Sequence, residues 1–512
     1  MKLKYYIYIT AIFALSSCSD DFLNLTPDSE LSANDFYKTE EQFQQALSGV
    51  YQVLRSTVGE SGYLMGEMRS DNTHYDYYAP DRGIHIVRRE NIDDFLDDSQ
   101  NQWTNGYFDA SYIGISRANT ILGRIEDGEL SDEAKNRIIG ETKFLRAYYY
   151  FNLVRYFGEV PLYLTEVTTE DDAFLPRSSV EDVYSTIIAD VEDAIERLEV
   201  PNFPQTGRVT KGTATTLLAE IYMTRKDFQS AEPLLRSLTT MGYELVSNYE
   251  DVFDTANKNN RESIFEVQFM MGDQGQHSMF SYWFIPKSRN VEIITGIVSN
   301  TLNFGGFNVP TDDLMRAYEE GDSRKSASIG IAEGIIDTDG SFVIESVEDS
   351  DGYVTPAGKT AKPFIKKYLH AHSRERNTDD NWPIYRYSNV LLMLAECLNE
   401  NGNSADALPY LNEVRKRAGD ALPNIITTEQ NALRDIILHE RRIELAFENH
   451  RWHDLVRTDK AIEVMTAHGI EMKSKYNYLT NNSYQINENR LIFPIPYLEL
   501  QLNNQLTQNN GY

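Results

Sequence analysis

Apolar residues recur with a helical period over much of the chain. Phe43, Leu47, Val50 and Leu54 fall at i, i+4, i+7 and i+11, one face of an α-helix. Residues 113–125 and 144–157 read the same way, and the second run is closed by Gly158 and Pro161. Residues 183–198 predict a further amphipathic helix, ended by Pro201. Two stretches break the period. Residues 71–105 are rich in Tyr and Asp, and over residues 270–380 Gly, Ser, Asn and Asp interrupt short apolar runs. Asp339-Gly340 and Asp351-Gly352 are candidate hairpin turns within the second stretch. Long irregular segments on a helical frame usually carry function.

A repeat lies within the helical part. Leu218-Ala219, Tyr222, Ala231 and Leu235 have the spacing of a tetratricopeptide helix pair, in which a small residue on each helix lets two backbones approach. Leu394-Ala395, Leu398, Ala407 and Leu411 reproduce it, with the same separation between the two alanines. Arg225-Lys226-Asp227 and Asn401-Gly402-Asn403 supply the turns. The units are far apart in the chain, so helix pairs are split by long insertions instead of forming a continuous solenoid. The expected fold is mainly α: tetratricopeptide-like helix pairs as a scaffold, with long irregular loops and a few short β-hairpins.

The N-terminus changes the picture of where such a protein resides. Lys2 and Lys4 precede an apolar run over residues 5–15, shorter than the ~20 residues of a membrane-spanning helix. Leu15-Ser16-Ser17-Cys18 follows and resembles a bacterial lipobox, so residues 1–17 read as a lipoprotein signal peptide with Cys18 as the lipidated residue. Acyl chains bury ~0.8 kcal/mol per CH₂, and two or more hold a protein stably on a bilayer. Ser19-Asp20-Asp21 resembles the acidic surface-export tag of Bacteroidetes lipoproteins, and residues 18–40 read as the lipidated cysteine and a polar tether. Membrane contact is expected through this lipid alone. Cys397, the only other cysteine, lies in an apolar helical run and is expected to be a buried, inert thiol.

Net charge is −30. Such a surface repels nucleic acid and gives no counter-ion release on phosphates. It argues less strongly against heavily sulfated or uronate-rich ligands.

Catalytic signatures fail at their defining positions. His439-Glu440-Arg441-Arg442-Ile443 lacks the second histidine of a zinc-protease helix, and His450 with His453 lacks a third ligand. Asp337-Thr338-Asp339-Gly340 puts glycine too early for a calcium loop. Gly207 to Lys211 lacks the phosphate-loop spacing, and no Gly-x-Ser-x-Gly elbow occurs. Paired carboxylates for glycoside hydrolysis stay open, because only their separation in space decides. The reading is a protein without enzymatic activity, cofactor or metal.

From residue 431 onward the sequence resembles the C-terminal signature of the SusD/RagB family. It reads Leu438-His439-Glu440-Arg441-Arg442-Ile443-Glu444-Leu445-Ala446-Phe447-Glu448, then Arg451-Trp452-His453-Asp454-Leu455-Val456-Arg457, and ends in Asn503, Leu506, Gln508-Asn509 and Gly511-Tyr512. Asn504 and Asn510 stand where the family usually has proline. Gly207 to Gly212, and Trp103 with Tyr112, Ile115 and Asn119, match as well. Physically the motif reads as structural, with Leu438, Leu445 and Leu455 burying the helix while its charges tie it to neighbours. The resemblance implies one SusD-like domain over residues 41–512. Its helical scaffold would cover about 41–269 and 381–460, its loop-rich ligand region about 270–380 and its family motif 431–512. It also implies an outer-membrane lipoprotein facing the cell exterior, which binds glycans and delivers them to a SusC-like TonB-dependent transporter; capture of peptides or other nutrients by the same scaffold with different loops stays open.

A sugar ring wants a flat aromatic surface beneath it and Asp, Asn or Arg at its hydroxyl rim. Two segments offer that mixture: residues 71–82, with Asp71, Asn72, Tyr75, Tyr77, Tyr78 and Arg82, and residues 274–286, with Tyr282, Trp283 and Phe284. Tyr75, Tyr77 and Tyr78 could equally staple the loop to the body, whereas Trp283 reads as a loop tryptophan with a free face. Trp103 and Trp452, inside helical motifs, read as core.

Overall fold

The computed structural model describes residues 36–512. The expected signal peptide, Cys18 and most of the expected tether lie outside the described residues.

The helices in chain order are α1 (Glu40–Val58), α2 (Ile84–Asp93), α3 (Gln102–Arg124), α4 (Asp132–Phe157), α5 (Val180–Arg197), α6 (Lys211–Thr224) and α7 (Phe228–Leu238). The short α8 (Phe280–Phe284) precedes α9 (Tyr387–Glu400), α10 (Ser404–Ala418), α11 (Gln430–Glu444), α12 (Arg451–Arg457) and α13 (Ala461–Lys475). Strands are few: β1 (Thr73–His74), β2 (Ser263–Val267), β3 (Val309–Pro310), β4 (Ile329–Ile336), β5 (Phe342–Asp349), β6 (Thr360–Ile365) and β7 (Trp382–Arg386). The fold is mainly α, with tetratricopeptide-like helix pairs, as the periodicity predicts.

Helix starts follow capping chemistry. Thr39 caps α1 in a reciprocal box with Gln42, and Ser131 and Ser179 cap α4 and α5 through their hydroxyls. The predicted apolar stripe of α1 is buried at Phe43, Leu47, Val50 and Leu54. Both repeat units form antiparallel pairs, α6 on α7 and α9 on α10, and α7 packs on α9. The insertions therefore leave the two units adjacent in space. Ala219, Ala231, Ala395 and Ala407 are fully buried, the close approach for which small residues were expected. Cys397 is buried beside them, and burial pushes its thiol well above the ordinary range.

Strands serve the insertions. β4 and β5 form the hairpin turned at Asp339-Gly340, where Gly340 takes φ +82°. Asp351-Gly352 does not close a tight hairpin. It lies in a longer connection that carries β6 to the other edge of β4, giving the order β5-β4-β6. β2 pairs with β7, and β1 pairs with β3 at Thr73–Pro310 and His74–Val309.

The C-terminal signature is a buried ionic lattice. Arg386 bonds Glu262 at 2.6 Å, Glu444 at 3.0 Å and Glu448 at 2.8 Å. Arg324 bonds Glu440 at 2.6 Å, Arg415 bonds the same carboxylate at 2.8 Å, and Lys367 reaches Glu448 at 2.8 Å. Glu440, Glu444 and Glu448 recur every fourth residue and so present one inward row of acids. Of the apolar residues expected to bury this motif, Leu445 and Leu455 are buried and Leu438 is only half-buried, while Leu433, Ile437 and Ile443 carry the contact of α11.

Candidate functional site

Residues 71–82 run from the core to the surface. Asp71 is buried and takes both guanidinium nitrogens of Arg451 at 2.8 Å, with Arg442 at 3.0 Å. Burial alone would raise its carboxyl, but the two arginines hold it well below the usual carboxylate range. Asn72, also buried, donates to Glu67 at 2.8 Å and accepts from Arg442 at 2.9 Å. Both side chains are thus occupied in tying the loop to α11 and α12. The expectation that they rim a ligand is corrected on that ground: neither reaches solvent.

His74 comes next and is held neutral, since burial lowers its pKa to about 3. Its Nδ1 lies 2.6 Å from Asp93, and its Nε2 lies 2.8 Å from the hydroxyl of Tyr478. Tyr484 donates to Asp93 at 2.7 Å. Burial raises the carboxyls of Asp93 and Asp94 well above the ordinary range. Tyr75 is buried and donates to Asp94 at 3.1 Å, so it staples the loop.

Beyond Tyr75 the chain emerges. Tyr77 is half-buried and stacks on Tyr478, with centroids 4.2 Å apart and planes 8° from parallel. The guanidinium of Arg82 sits 4.5 Å from the Tyr77 centroid and pairs with Glu90 of α2 at 2.6 Å. Tyr476 stacks on Tyr478 at 5.3 Å and on His74 at 4.9 Å. Tyr78 is half-exposed and takes part in no aromatic pair among the described residues. Two predicted residues, Tyr77 and Arg82, are therefore gathered beside Tyr476 and Tyr478, which the sequence reading missed, and Tyr78 is the next residue of the same loop. The available signal was Tyr476-Asn477-Tyr478, just past the end of α13.

The second predicted segment lies elsewhere. Tyr282, Trp283 and Phe284 belong to α8 and are buried. Trp283 is 5 % exposed, packs edge-on against Tyr63 at 5.5 Å, and has the guanidinium of Arg89 5.0 Å from its ring. Arg89 also faces Trp103 at 4.2 Å and Phe307 at 4.7 Å, so one cation joins three rings. Phe284 packs on Tyr63 at 4.9 Å, and the Tyr282 hydroxyl meets His372 Nε2 at 2.7 Å. The free tryptophan face expected of a loop is absent, because the aromatic-rich segment 280–285, polar only at Ser281, folds inward as a helical turn. Trp103 is only half-buried in the first turn of α3, donating to the His85 carbonyl at 3.1 Å, whereas Trp452 is fully buried.

Helix α2 links the two regions through Arg82–Glu90 on one side and Arg89–Trp283 on the other. The arrangement defines a class: a tetratricopeptide-like helical scaffold carrying an irregular insertion with a half-exposed tyrosine face.

The sequence pattern described as the SusD family matches residues 261–512, and one described as starch-binding associating with outer membrane matches residues 21–223. SusD-like protein P2 of Formosa agariphila is 30% identical, over 99% of this chain and 100% of its own. The starch-binding protein SusD of Bacteroides thetaiotaomicron is 22% identical over 78% of this chain and 76% of its own. A solved laminarin binding SusD-like protein superposes with a TM-score of 0.74 at 27% identity, covering 93% of this chain and 100% of that one. The chain belongs to the SusD family.

Proposed function

We propose that this protein is a non-catalytic glycan-binding lipoprotein of the outer membrane, anchored through Cys18 and facing the cell exterior. It would pass oligo- or polysaccharide to a SusC-like TonB-dependent transporter. The observation that carries the reading is the half-exposed tyrosine cluster of Tyr77, Tyr476 and Tyr478, with Arg82 against it and the half-exposed, unstacked Tyr78 next along the chain. The Tyr78 ring is not used in stacking among the described residues and offers apolar area for the C–H face of a sugar, and the exposed ring edges, hydroxyls and a guanidinium offer partners for its rim. The laminarin-binding relative supports the ligand class. Among the described residues no helix is long and apolar enough to cross a membrane.

A glycan array on residues 19–512 identifies the ligand, and calorimetric titration of Tyr78→Ala then tests the face. A lost stacking aromatic should weaken binding by ~10- to 100-fold, the equivalent of about 1–3 kcal/mol, without moving the melt. Absence of array binding, or unchanged affinity in both Tyr77→Ala and Tyr78→Ala, would refute the assignment. Incubation with the bound glycan should release no reducing ends above the blank. Release lost on mutating one Asp or Glu would establish an enzyme instead.

A further inference from the structure

A second surface lies along the exposed side of α1, away from the tyrosine face. Two adjoining depressions, of about 480 and 200 Å³, share Gln52, Arg55 and Gly275. The first continues towards Gln45 and Gln276, and the second ends against Met279 and the edge of Trp283.

Arg55 stands where the two meet. It is half-buried, and among the described residues its side chain makes one hydrogen bond, a 3.3 Å contact from Nη1 to the carbonyl of Gln268. No carboxylate of a described residue lies within ion-pair distance of it, in a chain whose net charge is −30. Burial lowers its pKa, and no neighbouring charge opposes that. A guanidinium has five donors in a fixed fork suited to an oxyanion. Arg208 nearby is the contrast, since its fork is taken by Glu141 at 2.7 Å.

Around Arg55, Glu266, Gln268, Tyr51 and Arg208 are hydrogen-bonded to other residues of the protein, whereas four glutamine side chains are idle. The side-chain amides of Gln45, Gln52, Gln274 and Gln276 make no hydrogen bond to any described residue. His277, on the wall of the smaller depression, has a buried Nδ1 without a partner. Amides that both donate and accept suit vicinal hydroxyls, which do the same. Met279 is 36% exposed beside them and offers an apolar contact.

We infer that this groove is a second saccharide subsite, specific for a glycan bearing an oxyanion, a uronate carboxylate or a sulfate ester. Arg55 takes the anion, and Gln45, Gln52, Gln274 and Gln276 take the ring hydroxyls. The inference deepens the glycan reading and rests on it for the ligand class, but it uses different residues from the tyrosine face.

The test titrates the protein of residues 19–512 with three probes: an oligogalacturonate, a sulfated carrageenan oligosaccharide and neutral laminarihexaose. At least one acidic probe should bind, more weakly as NaCl rises. Its affinity should fall about 10- to 100-fold in Arg55→Ala and in Arg55→Gln, the loss of one charge-assisted contact. A thermal melt verifies that each variant folds. If neither acidic probe binds, or both Arg55 variants keep wild-type affinity, the subsite is refuted while the tyrosine face stands. Failure of the tyrosine face alone would show as loss of neutral-glycan binding with the Arg55-dependent titration intact.

Discussion

Replacing Trp283 by alanine separates packing from recognition. The indole is 5 % exposed, set against Tyr63 at 5.5 Å and under the guanidinium of Arg89 at 5.0 Å. A buried aromatic side chain removes roughly 150–250 Å² from water. At about 25 cal/mol per Å² that is on the order of 4–6 kcal/mol of transfer free energy, of which alanine keeps a small part. Measured Trp→Ala substitutions in cores cost ~3–5 kcal/mol, so about 4 kcal/mol is expected here. Unfolding entropy of ~2.1 cal/mol/K per residue sums to on the order of 1 kcal/mol/K over the described chain. The melting temperature should therefore fall by roughly 4 °C if the chain unfolds as one unit. Differential scanning calorimetry reads this directly. Titration with a neutral glycan that binds the tyrosine face should give an affinity within about threefold of wild type, well under 1 kcal/mol. A melt shifted by less than about 1 °C, together with a tenfold loss of that affinity, would refute the reasoning and restore Trp283 to the site.

Other outcomes follow from the buried charges and the anchor. Arg386→Met removes the cation shared by Glu262, Glu444 and Glu448, leaving them Arg417, Arg324 and Lys367, and should cost at most about 3–5 kcal/mol in denaturant unfolding; a loss under about 1 kcal/mol would show this cation to be dispensable. Asp94 is pushed up to about 9, by burial first and by Asp93 second. Because its folded pKa lies above the unfolded value near 3.9, the folded state binds the extra proton, and this group's contribution is lost as pH rises from about 4 to about 9. Asp94→Asn should therefore raise the melting temperature more at pH 9 than at pH 5, and an equal shift at both would contradict the assignment. Cys18→Ala should move the protein from the membrane pellet to the soluble fraction with an unchanged melt; retention in the pellet would exclude the lipid anchor.

The helical scaffold was legible because its apolar residues repeat at close range: α1, α4, α5 and the two alanine-marked pairs all lie where periodicity puts them. What escaped was decided over long range. Asp71 and Asn72 look like loop-rim residues until Arg442 and Arg451 arrive from the far end of the chain. Helix α2 escaped because it turns Arg89, Glu90 and Asp93 inward along with Ile86 and Ile92, so no apolar stripe stands out. In residues 282–285 the unbroken run Tyr-Trp-Phe-Ile was a burial signal, outweighed by the glycines before it. Within the tyrosine face only the members carried by the 71–82 loop were readable, since Tyr476 and Tyr478 reach it from beyond α13.

The contacts between the first described turns and the last ones also set an order in time. Glu67 accepts from the backbone of Phe447 and Asn449, and Arg69 donates to the carbonyl of Arg490 at 2.9 Å. At the C-terminus Asn509 donates to the carbonyl of Phe157 at 2.8 Å, and Arg177 bonds the carbonyl of Thr507 at 3.0 Å. A ribosome delivers the N-terminal half first, so these groups wait without their distant partners while several hundred residues are added. Closing such long loops is slow, and the waiting intermediate exposes polar groups and helix faces meant for burial. Truncation by even the last few residues should then trap a half-assembled chain, a target for chaperones and proteases, instead of yielding a slightly shorter native protein.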